Sequence, residues 1–276
     1  MSRPYAEVIG DPIAQSKSPL IHNFWLGKLG IDAEYRACHV TSAQLADYVA
    51  GRRLDPDWRG CNVTIPHKEA VLALADLADD KASAIGASNC LYRDRQGRLV
   101  ATNTDVDGVN DAIAGVDLVG ADVCVLGCGG AARSAFQALK DSRSNLLVLA
   151  RDPEKAVRVS AAAGYPGAGV PFRAGNTALL AASLFINATQ LGMAGQDPVP
   201  DFVLADLAEM DEGALVFDMV YSPLDTSLLV EARKLGLRTT DGLVMLVGQA
   251  RSAFEKFFGQ PAPRQHDAEL RALLTR

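Results

Sequence analysis

Several absences narrow what this chain can be. No uninterrupted run approaches the roughly 20 apolar residues that span a bilayer, and the segment Met1-Ser2-Arg3-Pro4-Tyr5-Ala6-Glu7 has no apolar signal core. A cytoplasmic location is expected. There is no dense Lys/Arg block and the net charge is only -6, so neither nucleic acid nor an anionic membrane is indicated as a partner. A small molecule is expected instead. The five cysteines, Cys38, Cys61, Cys90, Cys124 and Cys128, form no C-x-x-C pair and read as buried thiols. Four histidines without regular spacing supply no ligand set, so no metal centre is expected. Repeats and low-complexity tracts are missing as well. With no export signal expected, the sequons Asn62-Val63-Thr64 and Asn187-Ala188-Thr189 are not expected to meet glycosylation, and their asparagines need another explanation.

What is present is a chain of 276 residues, 49% hydrophobic, long enough for two ordinary domains or one large one. Short β-rich runs alternate with helical stretches, which predicts α/β architecture with mainly parallel sheets. Strands are expected over 6–13, 35–40 and 59–65, with a hairpin of 88–93 and 98–102 turning at Asp94-Arg95-Gln96-Gly97. A βαβ unit follows from a strand at 122–126, a helix at 133–139 and a strand at 145–150, and further strands are expected at 170–173, 184–187 and 215–219. Helices at 243–258 and 268–274 have no strand to follow and are expected to return to the first domain. The predicted division is a substrate domain of 1–105 plus 243–276 and a dinucleotide-binding domain of 106–242.

Three stretches carry chemistry. In Asn62-Val63-Thr64-Ile65-Pro66-His67-Lys68-Glu69 a strand ends in polar residues and Pro66 is expected to open a helix with Lys68 in its first turn. A cation there meets the positive end of the helix dipole, which disfavours its charged form, the direction a proton-transferring lysine needs; a solvated surface lysine is the plain alternative. Gly127-x-Gly129-x-x-Ala132 follows a strand and opens a helix, the context in which G-x-G-x-x-G/A holds a dinucleotide pyrophosphate. At the next strand end stand Arg151, Asp152 and, one turn on, Lys155. Two cations favour the extra phosphate of NADP, whereas Asp152 suits the ribose of NAD or simply caps the helix opened by Pro153. In Gln15-Ser16-Lys17-Ser18-Pro19 two hydroxyls bracket a helix start, with Ser18 expected as N-cap, and an anionic group such as a carboxylate fits there.

Seven ordered segments now resemble the signatures of shikimate dehydrogenases: Gly10 to Asn23, Asn62 to Glu69, Gly86-Ala87-Ser88-Asn89, Asn103 to Gly108, Gly127 to Arg133, Asn187 to Met193 and Asp241 to Gln249. The resemblance spans nearly the whole chain and implies two domains, an N-terminal substrate domain and a Rossmann domain. It also implies NADP-dependent interconversion of 3-dehydroshikimate and shikimate, the chorismate-pathway step before aromatic amino acids. By the same resemblance Lys68 and Asp105 are the catalytic pair, Ser16 and Ser18 hold the substrate carboxylate with Tyr221 near it, and Asn62, Thr64, Asn89, Asp105 and Gln249 bind ring hydroxyls. The cofactor is bordered by Gly127, Cys128, Gly129, Gly130, Ala131, Ala132, Arg151, Asp152, Lys155, Thr189, Met193, Met219, Gly242 and Met245, with Asp80 the weakest transfer. Gln15, Ala150, Asp152 and Cys90 depart from the family's usual residues, and cofactor choice is where that matters. Assembly as a homodimer is left open.

Three other functions compete. An NAD-linked quinate/shikimate dehydrogenase would use Asp152 on the ribose, with Ser18 arguing mildly against it. Methylene-tetrahydrofolate dehydrogenases share the two-domain plan, but no Tyr-x-x-x-Lys motif is present. A non-catalytic nucleotide sensor would not need the polar set outside the Rossmann half, and that set is intact.

Overall fold

The computed structural model describes residues 3–276, which divide into two compact units: the chain up to Thr104 together with Gln249–Arg276, and Asp105–Gly248.

The first unit runs β1 (Tyr5–Gly10), α1 (Ser18–Leu29), β2 (Glu34–His39), α2 (Leu45–Leu54), β3 (Trp58–Val63), a 3-10 turn (Ala70–Leu74), β4 (Leu77–Ala78), α3 (Asp80–Ile85), β5 (Cys90–Arg93) and β6 (Leu99–Thr102). Its sheet has the order β2-β1-β3-β5-β6-β4, with β2, β1 and β3 parallel and β5 antiparallel to both neighbours. The expected hairpin is there: the Asp94 carboxylate accepts the N–H groups of Gln96 and Arg98 at 2.9 Å each and closes the turn. One helix start differs from expectation. Ser18 is the first helical residue and Lys17 occupies the cap position, while Ser16 Oγ accepts the Ser18 N–H at 3.3 Å. Gly30, at φ 63°, closes α1 in the left-handed conformation that glycine adopts without penalty. Glu7, buried in β1, is satisfied by Arg36 at 3.0 Å, Arg52 at 2.7 Å and the Tyr48 hydroxyl at 2.7 Å, as a buried carboxylate requires.

The second unit runs α4 (Asp105–Ala112), β7 (Asp122–Leu126), α5 (Gly130–Leu139), β8 (Asn145–Ala150), α6 (Pro153–Ala162), β9 (Ala168–Pro171), β10 (Ala182–Asn187), α7 (Asp201–Asp206), β11 (Leu215–Asp218), α8 (Ser227–Lys234) and β12 (Arg238–Thr240). All six strands are parallel in the order β12-β11-β10-β7-β8-β9. Successive residues serve opposite faces: Val123 and Val125 pack with α4 and α5, while Cys124 and Leu126 pack with α7 and α8. That two-sided burial is why these strands read as continuous apolar runs. The order reverses between β7 and β10, the place where open α/β sheets take ligands at their strand ends.

The chain then passes through α9 (Gly242–Phe258) to α10 (Asp267–Leu274), and the boundary between units falls inside α9. Phe254 and Phe257 of α9 pack against His22, Trp25 and Tyr35, so the last helices complete the core of the first unit. Among the described residues no helix is long and apolar enough to cross a membrane, and no group of three His, Cys, Asp or Glu could hold a metal ion.

Candidate active site

In the first unit the chemistry-bearing residues converge on the C-terminal ends of β1 and β3. These strands lie side by side with Ile9 opposite Val63, and Thr64 N–H donates to the Ile9 carbonyl at 3.0 Å. Gly10 is required here, since a Cβ on it would stand 2.5 Å from Thr64 Cγ2. Asn62 is buried at the end of β3, where its Oδ1 accepts the Tyr35 hydroxyl at 2.7 Å. The Ser18 side chain also reaches Tyr35, whose hydroxyl burial holds well above the usual tyrosine range. Asn89, 3% exposed, accepts the Thr104 N–H at 2.7 Å on its Oδ1, and its own carbonyl accepts Val63 N–H at 2.8 Å. Ser18, Asn62, Thr64 and Asn89 are thus gathered, with Ser16 half-buried beside them and Gln249 buried on α9.

Lys68 corrects an expectation. No α-helix follows Pro66: residues 65–69 form turns leading into the short 3-10 helix. The reason is long-range. The Lys68 carbonyl accepts the N–H of Ser88 at 2.7 Å, and the buried His67 ring donates from Nε2 to the Val40 carbonyl at 2.6 Å. Main-chain and side-chain groups at the start of the expected helix are committed elsewhere, so the dipole that was to face Lys68 is not formed. Lys68 itself is half-buried. Asp80 lies exposed in the first turn of α3, behind the Asp79 cap, in the first unit.

In the second unit Gly127 follows β7 with φ 105°, and a Cβ there would sit 2.8 Å from Thr189 Cγ2. Cys128 is half-buried, Gly129 is the cap of α5, and Ala131 stands in the first turn. Ala132 is fully buried against the sheet, so a larger side chain would push α5 away. A Cβ on Gly129 or Gly130 would meet nothing within 4 Å, which leaves open space directly over the N-terminus of α5. These features fit a pyrophosphate: backbone donors, the positive helix end and room to approach. Arg151 and Lys155 are exposed at the β8–α6 turn, while Asp152 caps α6, its Oδ1 accepting the Lys155 N–H at 2.9 Å.

A network not anticipated from the sequence ties β10 to β11. Asn187 Nδ2 donates to Asp218 Oδ1 at 2.9 Å, Thr226 Oγ1 donates to Asp218 Oδ2 at 2.7 Å, and Thr189 Oγ1 donates to Asn187 Oδ1 at 2.7 Å. Burial raises the Asp218 carboxyl above its ordinary range, opposed by the hydrogen bonds from Thr226, Val220 and Asn187. The second sequon asparagine therefore has a structural occupation. Met219 follows directly, its N–H bound to the Asn187 carbonyl at 3.1 Å. Met193 lies in the turn after β10, Tyr221 is 36% exposed after β11, Gly242 begins α9, and Met245 packs on the core. Asp105, half-buried, opens α4.

Comparison with known proteins bears on both units. Residues 8–91 match the shikimate dehydrogenase substrate binding domain, and residues 242–269 the shikimate 5'-dehydrogenase C-terminal domain. An NADP(+) shikimate dehydrogenase of Sphingopyxis alaskensis is 51% identical over 98% of this chain and 97% of its own. The shikimate 5-dehydrogenase of Thermus thermophilus, solved with NADP(H) and shikimate, superposes with a TM-score of 0.84 at 31% identity over 98% of this chain and 99% of that one. The ligand-free 5-ketofructose reductase of Gluconobacter sp. strain CHM43 reaches a TM-score of 0.86 at 28% identity, covering 99% of both chains.

Proposed function

The chain belongs to the shikimate dehydrogenase family, and from that premise we propose that it catalyses NADP-dependent, reversible reduction of 3-dehydroshikimate to shikimate. The observation that carries this is near-full-length identity to NADP-dependent shikimate dehydrogenases, and the polar set at the ends of β1 and β3 supports it. A small, hydroxylated carboxylic acid suits that set. Ser16 and Ser18 offer hydroxyls to its carboxylate, with Tyr221 contributing, and Asn62, Thr64, Asn89, Asp105 and Gln249 offer donors and acceptors to its ring hydroxyls. NADPH, when bound, supplies the hydride. Lys68 gives a proton to the alkoxide that develops at the substrate carbonyl and stabilises its charge until then, with Asp105 as the second member of the catalytic pair. Gly127 to Ala132 cradle the pyrophosphate, and Arg151 and Lys155 face the dianionic ribose phosphate. Thr189, Met193, Met219, Gly242 and Met245 would border the cofactor.

Asp152 favours NADP by being occupied: a carboxylate already capping α6 is a poorer partner for a ribose diol. A cytoplasmic location accords with a reaction on freely diffusing metabolites. Initial rates test the whole scheme. The highest kcat/KM is expected for NADPH with 3-dehydroshikimate, and for NADP with shikimate in reverse. A higher value for NAD with quinate, or for 5-ketofructose as the ketone, would overturn it.

A further inference from the structure

The segment Ser18-Pro19-Leu20-Ile21-His22-Asn23 supplies more than a hydroxyl at its start. Two of its members, His22 and Asn23, point from α1 onto one residue of β2. Asn23 Oδ1 accepts the Tyr35 N–H at 2.9 Å, and Asn23 Nδ2 donates to the Tyr35 carbonyl at 2.6 Å, so the Tyr35 main chain is clamped in both directions. The His22 ring stacks on the Tyr35 ring, centroids 4.0 Å apart and planes 5° from parallel. Neither nitrogen of His22 has a hydrogen-bond partner, and its full burial keeps it neutral, so its contribution is an apolar face. Phe257 packs beside the stacked pair, its centroid 6.3 Å from Tyr35 and 6.0 Å from His22. A ring held this way brings its hydroxyl to Asn62 Oδ1 at 2.7 Å, with the Ser18 side chain also in reach of it.

The consequence lies in the amide. A primary amide has an accepting and a donating end, and nothing in its shape distinguishes them. With Oδ1 committed to Tyr35, Nδ2 must turn the other way, towards the Asn89 carbonyl at 3.4 Å. A contact that long leaves donor capacity for a ligand. We propose that Tyr35 is a positioning residue which fixes the donating end of the Asn62 amide towards substrate, and that His22 and Asn23 act through it. This rests on Asn62 binding a substrate hydroxyl, as proposed above.

A double-mutant cycle on shikimate KM separates the two ideas. Tyr35→Phe keeps the ring, the stack and the main-chain clamp and removes only the hydroxyl. Loss of one buried hydrogen bond of ordinary strength corresponds to a rise of about 2- to 10-fold in KM for shikimate, with KM for NADP unchanged. In an Asn62→Ala background the same substitution is expected to add less than about twofold, because the group it positions is gone. His22→Ala is the second probe, expected to raise KM for shikimate and not for NADP. If Asn62→Ala leaves KM for shikimate unchanged, the substrate role of Asn62 falls and the positioning role with it. If Asn62→Ala raises KM but Tyr35→Phe multiplies it by the same factor in both backgrounds, or has no effect in either, only the positioning role falls. Should Tyr35→Phe not fold, a His22→Ala protein in which both KM values move together, or neither moves, overturns it equally.

Discussion

Lys68 sits in a turn fixed by distant partners, so its chemistry depends on its neighbourhood and not on a helix end. Removing a positioned proton donor typically costs 10²- to 10⁴-fold in rate. Lys68→Ala is expected to lose kcat by about that factor while NADP affinity, measured by fluorescence titration, stays within about twofold of the parent. Retained turnover would remove Lys68 from the mechanism and return the sensor hypothesis to contention. His22 makes a second residue-level prediction. Burial lowers its folded-state pKa to about 3 against an ordinary 6.5, so the unfolded chain binds a proton that the folded chain refuses. Stability is therefore complete above pH 6.5 and falls as the pH drops towards 3. The loss at pH 5 is at most about 2 kcal/mol. Urea midpoints at pH 7 and pH 5 should fall less in His22→Phe than in the parent, and equal falls would show that another group governs the acid limb.

Elements obey the same principle, that a polar end needs a partner. Helix α6 has Asp152 as cap and Pro153 in its first turn, and capping residues of this type contribute about 1 kcal/mol each. Asp152→Ala is expected to lower the urea-derived stability by about that amount without improving NADH as a cofactor. A selective loss of NADH affinity with unchanged stability would show that the carboxylate serves a ribose instead. Elements also show where local pattern suffices. Strands β7 and β8 match their expected limits residue for residue, because burial on both faces makes them continuous apolar runs bounded by turns. By contrast β4, two residues long and exposed, and β12, three residues at a sheet edge, were not expected, since so few residues carry no period. Helix α2 ends at Leu54, where the Arg93 guanidinium receives its last turns, donating to the Arg52 and Arg53 carbonyls at 3.0 and 3.1 Å.

On the scale of the whole chain the first unit is discontinuous, and its core needs the residues after Gln249. Phe254 and Phe257 are buried with Trp25 and Tyr35, and Leu270 and Leu274 of α10 are buried as well. Lys17 donates to the Leu274 carbonyl at 2.5 Å, which joins the Ser16–Ser18 segment to the last turn of the chain. Truncation after Gly248 is expected to unfold the first unit and abolish shikimate binding while residues 105–248 keep their fold and NADP affinity. Circular dichroism with limited proteolysis would read the former, and nucleotide titration the latter. A truncated chain that still binds shikimate would show that the C-terminal helices are dispensable.

Much of this protein is legible in its sequence. Apolar periodicity announces the α/β class, glycine spacing after a strand announces the nucleotide turn, and the ordered polar motifs announce the family, because each of these signals is local in the chain. Tertiary structure alone decided that Lys68 leads no helix, that Asn187 serves Asp218, and that the Tyr35 hydroxyl meets Asn62. Tyr35 and Asn62 stand 27 positions apart, and Asn187 and Asp218 stand 31 apart. A hydrogen bond across such a separation leaves no pattern in either neighbourhood, since both partners are ordinary strand residues until the sheet brings them together.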